Sequence, residues 1–300
     1  MNGWRLAAAA RELREGDLLE ANLPEGPVFL LRTGSGVLAR GARCPHMGAD
    51  LRFAPRRGGR VTCALHAWEF DVPSGACLAG PRDASLFSLP AREAFGAVFV
   101  QTGEGALPAF ESMEESEVAA LPGSRVALAC APLGVALNAF DVAHLGTVHR
   151  RELLEPPEFG AVGDVFRLRY ASRPSGRAPS DRLMLALSKG RIEVTITALS
   201  PFLIVVESRA GTTTSGLLVG LSPGGAGTEV FPVFCVKRSG GRLADALRTR
   251  LSRWLYTEFL KRDLVPLTGF ALTEGSFQPG DESVRAFLEW AGGVRPGERA

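Results

Sequence analysis

The 300-residue sequence has little of what marks a nucleic-acid-binding, secreted or membrane-spanning protein. Its formal charge is only +2, from 34 basic and 32 acidic residues, which gives no reason to expect a nucleic-acid partner. No apolar run approaches the length of a membrane span, and the N-terminal apolar stretch is too short for a signal peptide. Five cysteines, an odd number without a secretory segment before them, predict a soluble cytoplasmic protein.

Histidine is also scarce, and its four copies fall into two short regions. His46 and His66 each follow a cysteine, in C-P-H at 44–46 and in C-A-L-H at 63–66, with sixteen residues between the two motifs. His144 and His149 lie in N-A-F-D-V-A-H-L-G-T-V-H at 138–149. Chance does not easily produce this distribution, so both regions are candidate metal sites.

The two Cys-His motifs fit two kinds of metal site. Two cysteines and two histidines can hold one tetrahedral zinc. The same four residues can hold a Rieske [2Fe-2S] centre, with two cysteines on one iron and two histidines on the other. The flanking residues favour the cluster, because Pro45 stiffens the first loop and Trp68 and Phe70 begin a strand after the second.

The stretch from Asn138 to His149 is the second candidate site. Read as a helix, Asn138, Asp141 and His144 make one polar stripe, whereas His149 lies off that stripe. Gly146 is a place where the helix could loosen and bring both imidazoles to one point. A helix with two structurally satisfied histidines is the simpler interpretation of this stretch alone, but the Cys-His motifs upstream favour a metal site.

Taken together, these motifs resemble the oxygenase component of Rieske non-haem iron oxygenases, the aromatic-ring-hydroxylating family. The resemblance spans essentially the whole chain. One departure is Met47, where many relatives carry a basic residue, but it removes no ligand. The matching segments are C-P-H-M-G-A-D-L at 44–51, C-A-L-H-A-W-E-F at 63–70 and N-x-x-D-x-x-H-x-x-x-x-H at 138–149.

The resemblance implies two cofactors, a Rieske [2Fe-2S] cluster and a mononuclear Fe(II), with O2 as co-substrate. His144 and His149 would be two of the three ligands to the mononuclear iron. The cluster ligands would be the residues of the two short motifs, Cys44, His46, Cys63 and His66.

The third iron ligand in this family is a carboxylate from a helix well downstream. The segment F-L-K-R-D-L-V-P-L at 259–267 resembles that helix, so Asp263 is the preferred residue. Its apolar neighbours also favour a buried role, because an unpartnered buried carboxylate is costly. An ordinary surface position is the alternative for Asp263, and Asp281 and Glu258 are the next candidates for the ligand.

Asp141 has a different role in the family, where it bridges a cluster histidine and an iron-ligand histidine across a subunit contact. Here the path would run from His66 of one subunit through Asp141 to His144 of its neighbour, which implies a homotrimer. Asn138 lies one turn earlier and would orient the iron or its water, or else cap the helix.

The predicted fold class is α+β, with an all-β Rieske domain over 1–108 and a catalytic domain over 109–300. By resemblance, the second domain has a helix-grip fold, an antiparallel sheet around a long helix with a pocket between them. We predict helices at 5–15, from Arg242 to about Phe270 and from Glu282 to Trp290, and a loop at 171–180. The predicted strands of the second domain are 164–171, 191–198, 202–209, 215–221 and 228–236.

Two further expectations concern burial. The long C-terminal helix should turn an apolar stripe inward and its arginines outward. The three cysteines outside the motifs, Cys77, Cys130 and Cys235, should be buried free thiols. The stripe consists of Leu243, Leu247, Leu251, Trp254 and Leu255.

The implied activity is oxidation of an apolar cyclic or aromatic substrate. Electrons would come from NAD(P)H through a ferredoxin, a separate reductase or both, because no G-x-G-x-x-G nucleotide fingerprint occurs. Ring dihydroxylation, monohydroxylation, desaturation and demethylation all stay open. Alternatives are a Rieske electron-transfer protein, a zinc-binding structural protein and a non-catalytic homologue with an empty iron site.

Four apolar residues and three arginines are candidates for the substrate pocket. Core packing explains each apolar candidate equally well, and arginines of the 171–180 loop region are the available cations for a carboxylate. The apolar candidates are Leu137, Phe140, Leu185 and Phe202, and the arginines are Arg173, Arg177 and Arg182.

Overall fold

Short antiparallel strands fill the first hundred residues of the chain, and long strands with helices fill the rest. Residues 3–225, 227–273 and 277–292 are described by a computed structural model. The chain divides into two compact units after Glu104, four residues before the boundary at 108 proposed from the sequence. The mixed helix-and-sheet architecture confirms the predicted α+β class.

The N-terminal unit, residues 3–104, consists of strands and two short 3-10 turns at Ala10–Glu12 and Leu51–Phe53. The strands are β1 (Trp4–Ala9), β2 (Leu18–Leu23), β3 (Gly26–Thr33), β4 (Gly36–Gly41), β5 (Arg56–Arg57), β6 (Arg60–Thr62), β7 (Glu69–Asp71), β8 (Cys77–Ala79), β9 (Ser88–Leu89), β10 (Ala91–Ala94) and β11 (Ala97–Gln101). They form three antiparallel sheets in the orders β1-β11-β10, β2-β3-β4-β9 and β5-β6-β7-β8.

The helix predicted over residues 5–15 is wrong. Trp4–Ala9 forms β1, which pairs antiparallel with β11, and all six of its residues are buried. Only Ala10–Glu12 makes a helical turn. Alanine favours helices in isolation, but the weak propensity of a short segment is overridden when both of its faces pack inside a sheet unit.

The C-terminal unit, from residue 105 onward, is built on a large antiparallel sheet. Its strands are β12 (Val118–Pro122), β13 (Val126–Leu128), β14 (Arg151–Leu153), β15 (Glu158–Val162), β16 (Val165–Pro174), β17 (Ile192–Ser200), β18 (Leu203–Ala210), β19 (Thr213–Gly224) and β20 (Gly227–Lys237). The main order is β12-β20-β19-β18-β17-β16-β14, with β13 beside β20 and β15 beside β16. The five strands predicted for this region are confirmed as β16 to β20.

Six helices occur in the described part of this unit, with 3-10 turns at Glu115–Glu117 and Lys261–Asp263. They are α1 (Pro132–Phe140), α2 (His144–Thr147), α3 (Pro179–Ser188), α4 (Arg242–Leu260), α5 (Leu264–Leu267) and α6 (Glu282–Trp290). None of these helices has both the length and the apolar character that crossing a membrane requires. The predicted 171–180 loop is shorter than expected, because β16 continues to Pro174 and α3 begins at Pro179.

The long C-terminal helix is present, but its predicted apolar stripe faces inward only in part: Leu251 and Leu255 line a cavity together with sheet residues, whereas the first two leucines are exposed. Leu243 and Leu247 are 83% and 65% exposed. The buried positions of α4 are polar, Asp245, Thr249 and Ser252. Two of these three residues have hydrogen-bond partners: the Ser239 N–H and hydroxyl donate to Asp245 at 2.7 and 2.8 Å, and the Thr249 hydroxyl donates to the Asp245 carbonyl at 2.7 Å.

The main core of the C-terminal unit lies where α1 and α6 pack against the sheet. Phe140 at the end of α1 stacks on Phe287 of α6, with ring centroids 4.3 Å apart. The Ser283 hydroxyl donates to the Phe140 carbonyl at 2.6 Å. This packing fixes the end of α1, the point at which the second histidine motif begins.

Candidate active site

The two Cys-His loops of the N-terminal unit each contain the same kind of backbone turn. The Gly48 N–H donates to the Cys44 carbonyl, and the Ala67 N–H donates to the Cys63 carbonyl, each at 2.9 Å. Gly48 and Ala67 both have left-handed backbone, with φ of 73° and 53°. Each turn therefore begins at a cysteine and closes four residues later, and it presents one histidine in between.

The paired turns bring like ligands together. Nδ1 of His46 and Nδ1 of His66 are 3.1 Å apart, and both rings are exposed. The two cysteines are buried. Burial raises the pKa of the Cys44 thiol, and the neighbouring Cys63 thiol adds to that effect. Two adjacent thiols therefore lie inside, and two adjacent imidazoles lie at the surface.

This separation fits a [2Fe-2S] cluster better than a single zinc ion. A tetrahedral zinc requires all four ligand atoms around one point. Among the described residues, one group of three possible ligands has all its ligand atoms within 4.8 Å of one another, and it consists of His144, His149 and Asp263. The residues of the two Cys-His motifs form no such group. Cysteines on one side and histidines on the other suit the two irons of a Rieske centre.

The second histidine motif begins with a break in the helix. Asp141 follows α1 in an extended conformation, with φ −80° and ψ 104°. Its Oδ1 accepts the N–H groups of Ala143 and His144, at 2.9 and 3.2 Å, where α2 begins. The continuous helix predicted through Asn138, Asp141 and His144 is therefore interrupted at Asp141, and the loosening expected at Gly146 is not needed.

Two imidazoles and one carboxylate converge in the C-terminal unit. Nε2 of His144 and Nε2 of His149 are 3.1 Å apart. Oδ1 of Asp263 lies 2.9 Å from Nε2 of His149 and 3.6 Å from Nε2 of His144. His149 and Asp263 are 0% and 4% exposed. Asp263 belongs to the 3-10 turn that follows α4, in the segment that the resemblance indicated.

A hydrogen bond fixes the tautomer of His144, and burial favours the neutral form of His149. Nδ1 of His144 contacts the Asp141 carbonyl, to which it can only donate, so the lone pair of this ring lies on Nε2. Burial lowers the pKa of His149 despite the opposing effect of Asp263. The Arg262 guanidinium donates to the His149 carbonyl at 3.0 Å and fixes the backbone there.

This donor set fits a mononuclear iron. Asp263 Oδ1 is buried and has no hydrogen-bond partner, although Nε2 of His149 is 2.9 Å away. A divalent cation among the three residues would satisfy these atoms, because cis ligands at about 2.1 Å from a metal lie about 3.0 Å apart. Two histidines and one carboxylate with open positions are the ligand set of non-haem Fe(II) oxygenases.

The alternative carboxylates have other partners. Asp281 accepts the Gln278 N–H at 2.8 Å just before α6. Glu258 pairs with Lys261 at 2.7 Å. Neither residue belongs to the group formed with His144 and His149.

A cavity of about 500 Å³ lies beside this triad, within the C-terminal unit. His144, Asp263, Asn138 and Asp141 line it. Most other lining side chains are apolar and come from the sheet, for example Val194, Ile196, Ile204, Val206, Leu217 and Val219. Its volume and lining suit a small organic molecule.

The four wall residues proposed from the sequence do not line this cavity. Leu137 and Phe140 are buried in the core cluster around α1 and α6. Leu185 lies on α3 and is 36% exposed, and Phe202 lies in the turn between β17 and β18. For Leu137 and Phe140 the suggestion fails because α1 directs Asn138 to the cavity and these two side chains into the core.

Several polar residues that the sequence reasoning missed line the same cavity. Arg151, Tyr170 and Tyr256 interact electrostatically with one another. The Tyr256 hydroxyl donates to Ser208 Oγ at 3.0 Å and lies 3.4 Å from Ser215 Oγ. Burial raises the pKa of Tyr170 to about 12, so this hydroxyl stays protonated. The sequence did offer one signal for Tyr170 and Tyr256, because they are the only two tyrosines in its 300 residues.

The arginines suggested as pocket cations lie outside the cavity lining. Arg173 pairs with Glu152 at 3.4 Å, and Arg182 donates to the Gly176 carbonyl at 3.2 Å. Arg177 is an exposed residue of the segment between β16 and α3. The cations in the cavity lining are instead Arg151, at the start of β14, and Arg248 and Lys261.

The three remaining cysteines are free thiols. Cys130 and Cys235 are buried as predicted, and burial raises the pKa of each. For Cys77 the prediction of full burial is wrong. This residue begins the short strand β8 and is only half-buried.

Comparison with known proteins identifies the domain that contains the two Cys-His motifs. Residues 3–90 match the Rieske [2Fe-2S] domain family. The cholesterol 7-desaturase of Hemicentrotus pulcherrimus is 28% identical over 165 residues, which are 49% of this chain and 35% of the desaturase. The match thus spans about a third of the length of that curated relative.

Solved structures resemble the chain over almost its whole length. The terminal oxygenase of carbazole 1,9a-dioxygenase from Nocardioides aromaticivorans IC177 has a TM-score of 0.70 and 17% identity, and the match covers 100% of this chain and 95% of that one. NdmA of Pseudomonas putida CBB5 with caffeine has a TM-score of 0.68 and 17% identity, over 96% and 89% of the two chains. The N-terminal unit therefore carries a Rieske [2Fe-2S] domain, and the chain as a whole shares the fold of these two solved structures, as the resemblance in its motifs led us to expect.

Proposed function

We propose that this chain is the terminal oxygenase component of a Rieske non-haem iron oxygenase. It oxidises a cyclic substrate in the C-terminal cavity, using O2 and electrons from NAD(P)H that a ferredoxin or a separate reductase delivers. The observation that carries this proposal is the convergence of His144, His149 and Asp263 beside a cavity of about 500 Å³.

The residues of each unit would divide the work between electron supply and oxidation. When bound, the [2Fe-2S] cluster supplies single electrons and the mononuclear Fe(II) supplies oxygen activation. The triad would hold the mononuclear iron and leave positions open. The Asp141 carbonyl keeps His144 in the tautomer that binds iron. The apolar wall orients the substrate and excludes water from it. The cluster ligands would be Cys44, His46, Cys63 and His66.

Electron transfer between the two cofactors would run across a subunit contact of a homotrimer. In this scheme the partner subunit's His66 donates to Asp141, which also contacts His144. The exposure of Asp141 supports this role, because its side chain is 32% exposed while Oδ2 lies 3.6 Å from Nδ1 of His144. Asn138 lines the cavity one turn earlier and would orient a water at the iron.

A cytoplasmic location fits this function. The thiols of Cys44 and Cys63 must stay reduced until the cluster is inserted, and a reducing compartment keeps them so.

Two alternatives make different demands on the structure. A Rieske electron-transfer protein needs only the N-terminal unit and has no use for the triad or the cavity. A non-catalytic homologue would have the same fold without iron in the triad. Turnover separates both alternatives from the oxygenase.

A turnover assay tests the proposal. The loaded protein, a broad-specificity reductase and NADH are incubated under 18O2 with a panel of aromatic, terpenoid and sterol compounds, and products are identified by mass spectrometry. We expect products that require both NADH and this protein. His149→Ala is the matched control, since it removes an iron ligand and should abolish product while the cluster spectrum stays. NADH consumption without product from any compound, by wild type and control alike, would contradict the proposal.

A further inference from the structure

Arg151 is a charged residue of the cavity wall that the proposed function does not use. It begins β14, two residues after His149. Its Nε is buried and has no hydrogen-bond partner. Its Nη1 lies 3.5 Å from Ser172 Oγ, at the outer limit of a hydrogen bond, and its Cζ lies 4.7 Å from the centroid of the Phe259 ring. These weak contacts leave most of the guanidinium donors unused.

The other cations of the cavity wall already have partners. Lys261 pairs with Glu258 at 2.7 Å. Arg248 donates to a backbone carbonyl at 3.0 Å and lies 4.0 Å from Asp245. Within the described residues that line the cavity, Arg151 is the cation without a carboxylate inside 4.0 Å.

The nearest anions do not neutralise Arg151. Asp181 interacts with it electrostatically, but both Asp181 oxygens are held by Arg262, at 3.2 and 3.1 Å. Arg151, Arg262 and Asp181 together carry one net positive charge. Asp263 is assigned to the metal, whose own charge adds to this excess. A partly buried charge without a partner is costly, and an anionic ligand would remove that cost.

We propose that the substrate carries a carboxylate and that Arg151 binds it. This inference rests on the proposed function and specifies its substrate class: an apolar cyclic body with one carboxylate. The planar guanidinium fork matches a carboxylate in a bidentate pair. Tyr170 and Tyr256 line the same cavity and supply neutral hydroxyl groups nearby. The apolar sheet residues accept the ring system.

A carboxylate suits this wall better than a more highly charged group. A phosphate monoester carries up to two negative charges and needs several donors or cations. The other cations of the wall are paired, so Arg151 offers one positive charge. One carboxylate balances that charge.

Binding measurements without turnover test this inference. The full-length protein, loaded with cluster and iron, is kept anaerobic without reductase. It is titrated calorimetrically with a panel of cyclic carboxylates and their carboxamides, such as 2-naphthoate and 2-naphthamide. We expect the tightest ligands to be carboxylates that bind at least about tenfold better than their amides, since the amide has the same shape without the charge.

Variants then locate the charge recognition. Arg151→Met should weaken carboxylate binding about 10- to 100-fold and change carboxamide binding little. Arg151→Lys should retain part of the preference for carboxylates over carboxamides. Arg173→Met is the matched control, because Arg173 is 53% exposed, pairs with Glu152 and lies outside the cavity, so its removal should leave all affinities unchanged.

The contrary outcomes are equally defined. The inference is overturned if no carboxylate of the panel binds, if carboxamides bind as well as carboxylates, or if Arg151→Met retains wild-type carboxylate affinity. Iron content is measured in every sample because Phe259 contacts both Arg151 and His149. If Arg151→Met loses iron, the inference is judged on Arg151→Lys, by its preference for carboxylates over carboxamides. Carboxylate binding without turnover would count against the oxygenase proposal and leave this inference standing.

Discussion

Asp141 holds His144 through two separate groups. Its carboxylate accepts the backbone N–H of His144 at 3.2 Å, and its carbonyl accepts the Nδ1–H of the same residue. The carboxylate also accepts the Ala143 N–H at 2.9 Å. One residue thus starts α2 and fixes the tautomer of a proposed iron ligand, while part of its side chain remains exposed for a second partner.

Asp141→Asn separates these roles. The asparagine carbonyl oxygen can still accept both N–H groups, so α2 should form as before. Asparagine places an NH2 donor where the carboxylate Oδ2 would accept the N–H of the partner subunit's His66, so the proposed bridge between cluster and iron weakens. We expect normal cluster and iron content, normal cluster reduction and a collapse of product formed per reduced cluster in single-turnover measurements.

The control for this variant is Asp281→Asn, which makes the same chemical change at the start of α6, outside the cavity. Fast cluster reoxidation with full product yield in Asp141→Asn would rule out the bridging role. The sequence-based reason for expecting a trimer would fall with it.

Residue types and spacing indicated most of the proposed metal ligands, but not the cavity. His144 and His149 are close in sequence, so a local motif suffices to pair them. Asp263 lies far downstream and came only from the resemblance to the family, yet the structure brings it within 2.9 Å of His149. Arg151 had no motif, because its role depends on which strands and helices surround it.

Helix α6 stabilises the end of α1 from which the iron motif starts. Phe287 is fully buried and stacks on Phe140, and Ser283 donates to the Phe140 carbonyl. By contrast, the apolar stripe at the start of α4 is exposed, with Leu243 at 83%. These two helices should therefore respond very differently to the loss of a large apolar side chain.

Phe287→Ala should lower the free energy of unfolding of the C-terminal unit by about 3–5 kcal/mol, because it leaves a cavity in the core. Leu243→Ala should change it by less than about 0.5 kcal/mol, as for exposed positions generally. Urea unfolding followed by tryptophan fluorescence measures both values. Equal destabilisation by the two variants would show that α4 buries its stripe, as the sequence pattern had predicted.

The elements that the sequence predicted well are those whose pattern reflects local chemistry. Alternation and turn residues located β16 to β20, and α6 has the predicted bounds from Glu282 to Trp290. The failures have a tertiary cause. The alanine-rich segment Trp4–Ala9 is a strand because it is buried on both faces, and the first turns of α4 bury Asp245 and Thr249 while Leu243 and Leu247 are exposed. A periodic pattern does not reveal which face meets the sheet.

At the scale of the whole molecule, each unit carries its own metal motif. The N-terminal unit contains both Cys-His loops, and the C-terminal unit contains the complete triad with its cavity. Loss of the mononuclear iron should therefore leave the cluster in place, and loss of the cluster should leave the mononuclear iron in place. This independence makes the metal content of the whole chain a direct test of the account.

The central claim is that the chain holds a Rieske cluster and a separate mononuclear iron bound by Asp263. Iron and acid-labile sulfide per chain should be measured in the reconstituted wild type and in Asp263→Ala, with Asp281→Ala as control. We expect about three irons and two sulfides in wild type and control, and about two of each in Asp263→Ala with unchanged visible bands and no turnover. An Asp263→Ala protein that keeps the third iron and turns over, or a colourless wild type that binds only zinc, would contradict the account.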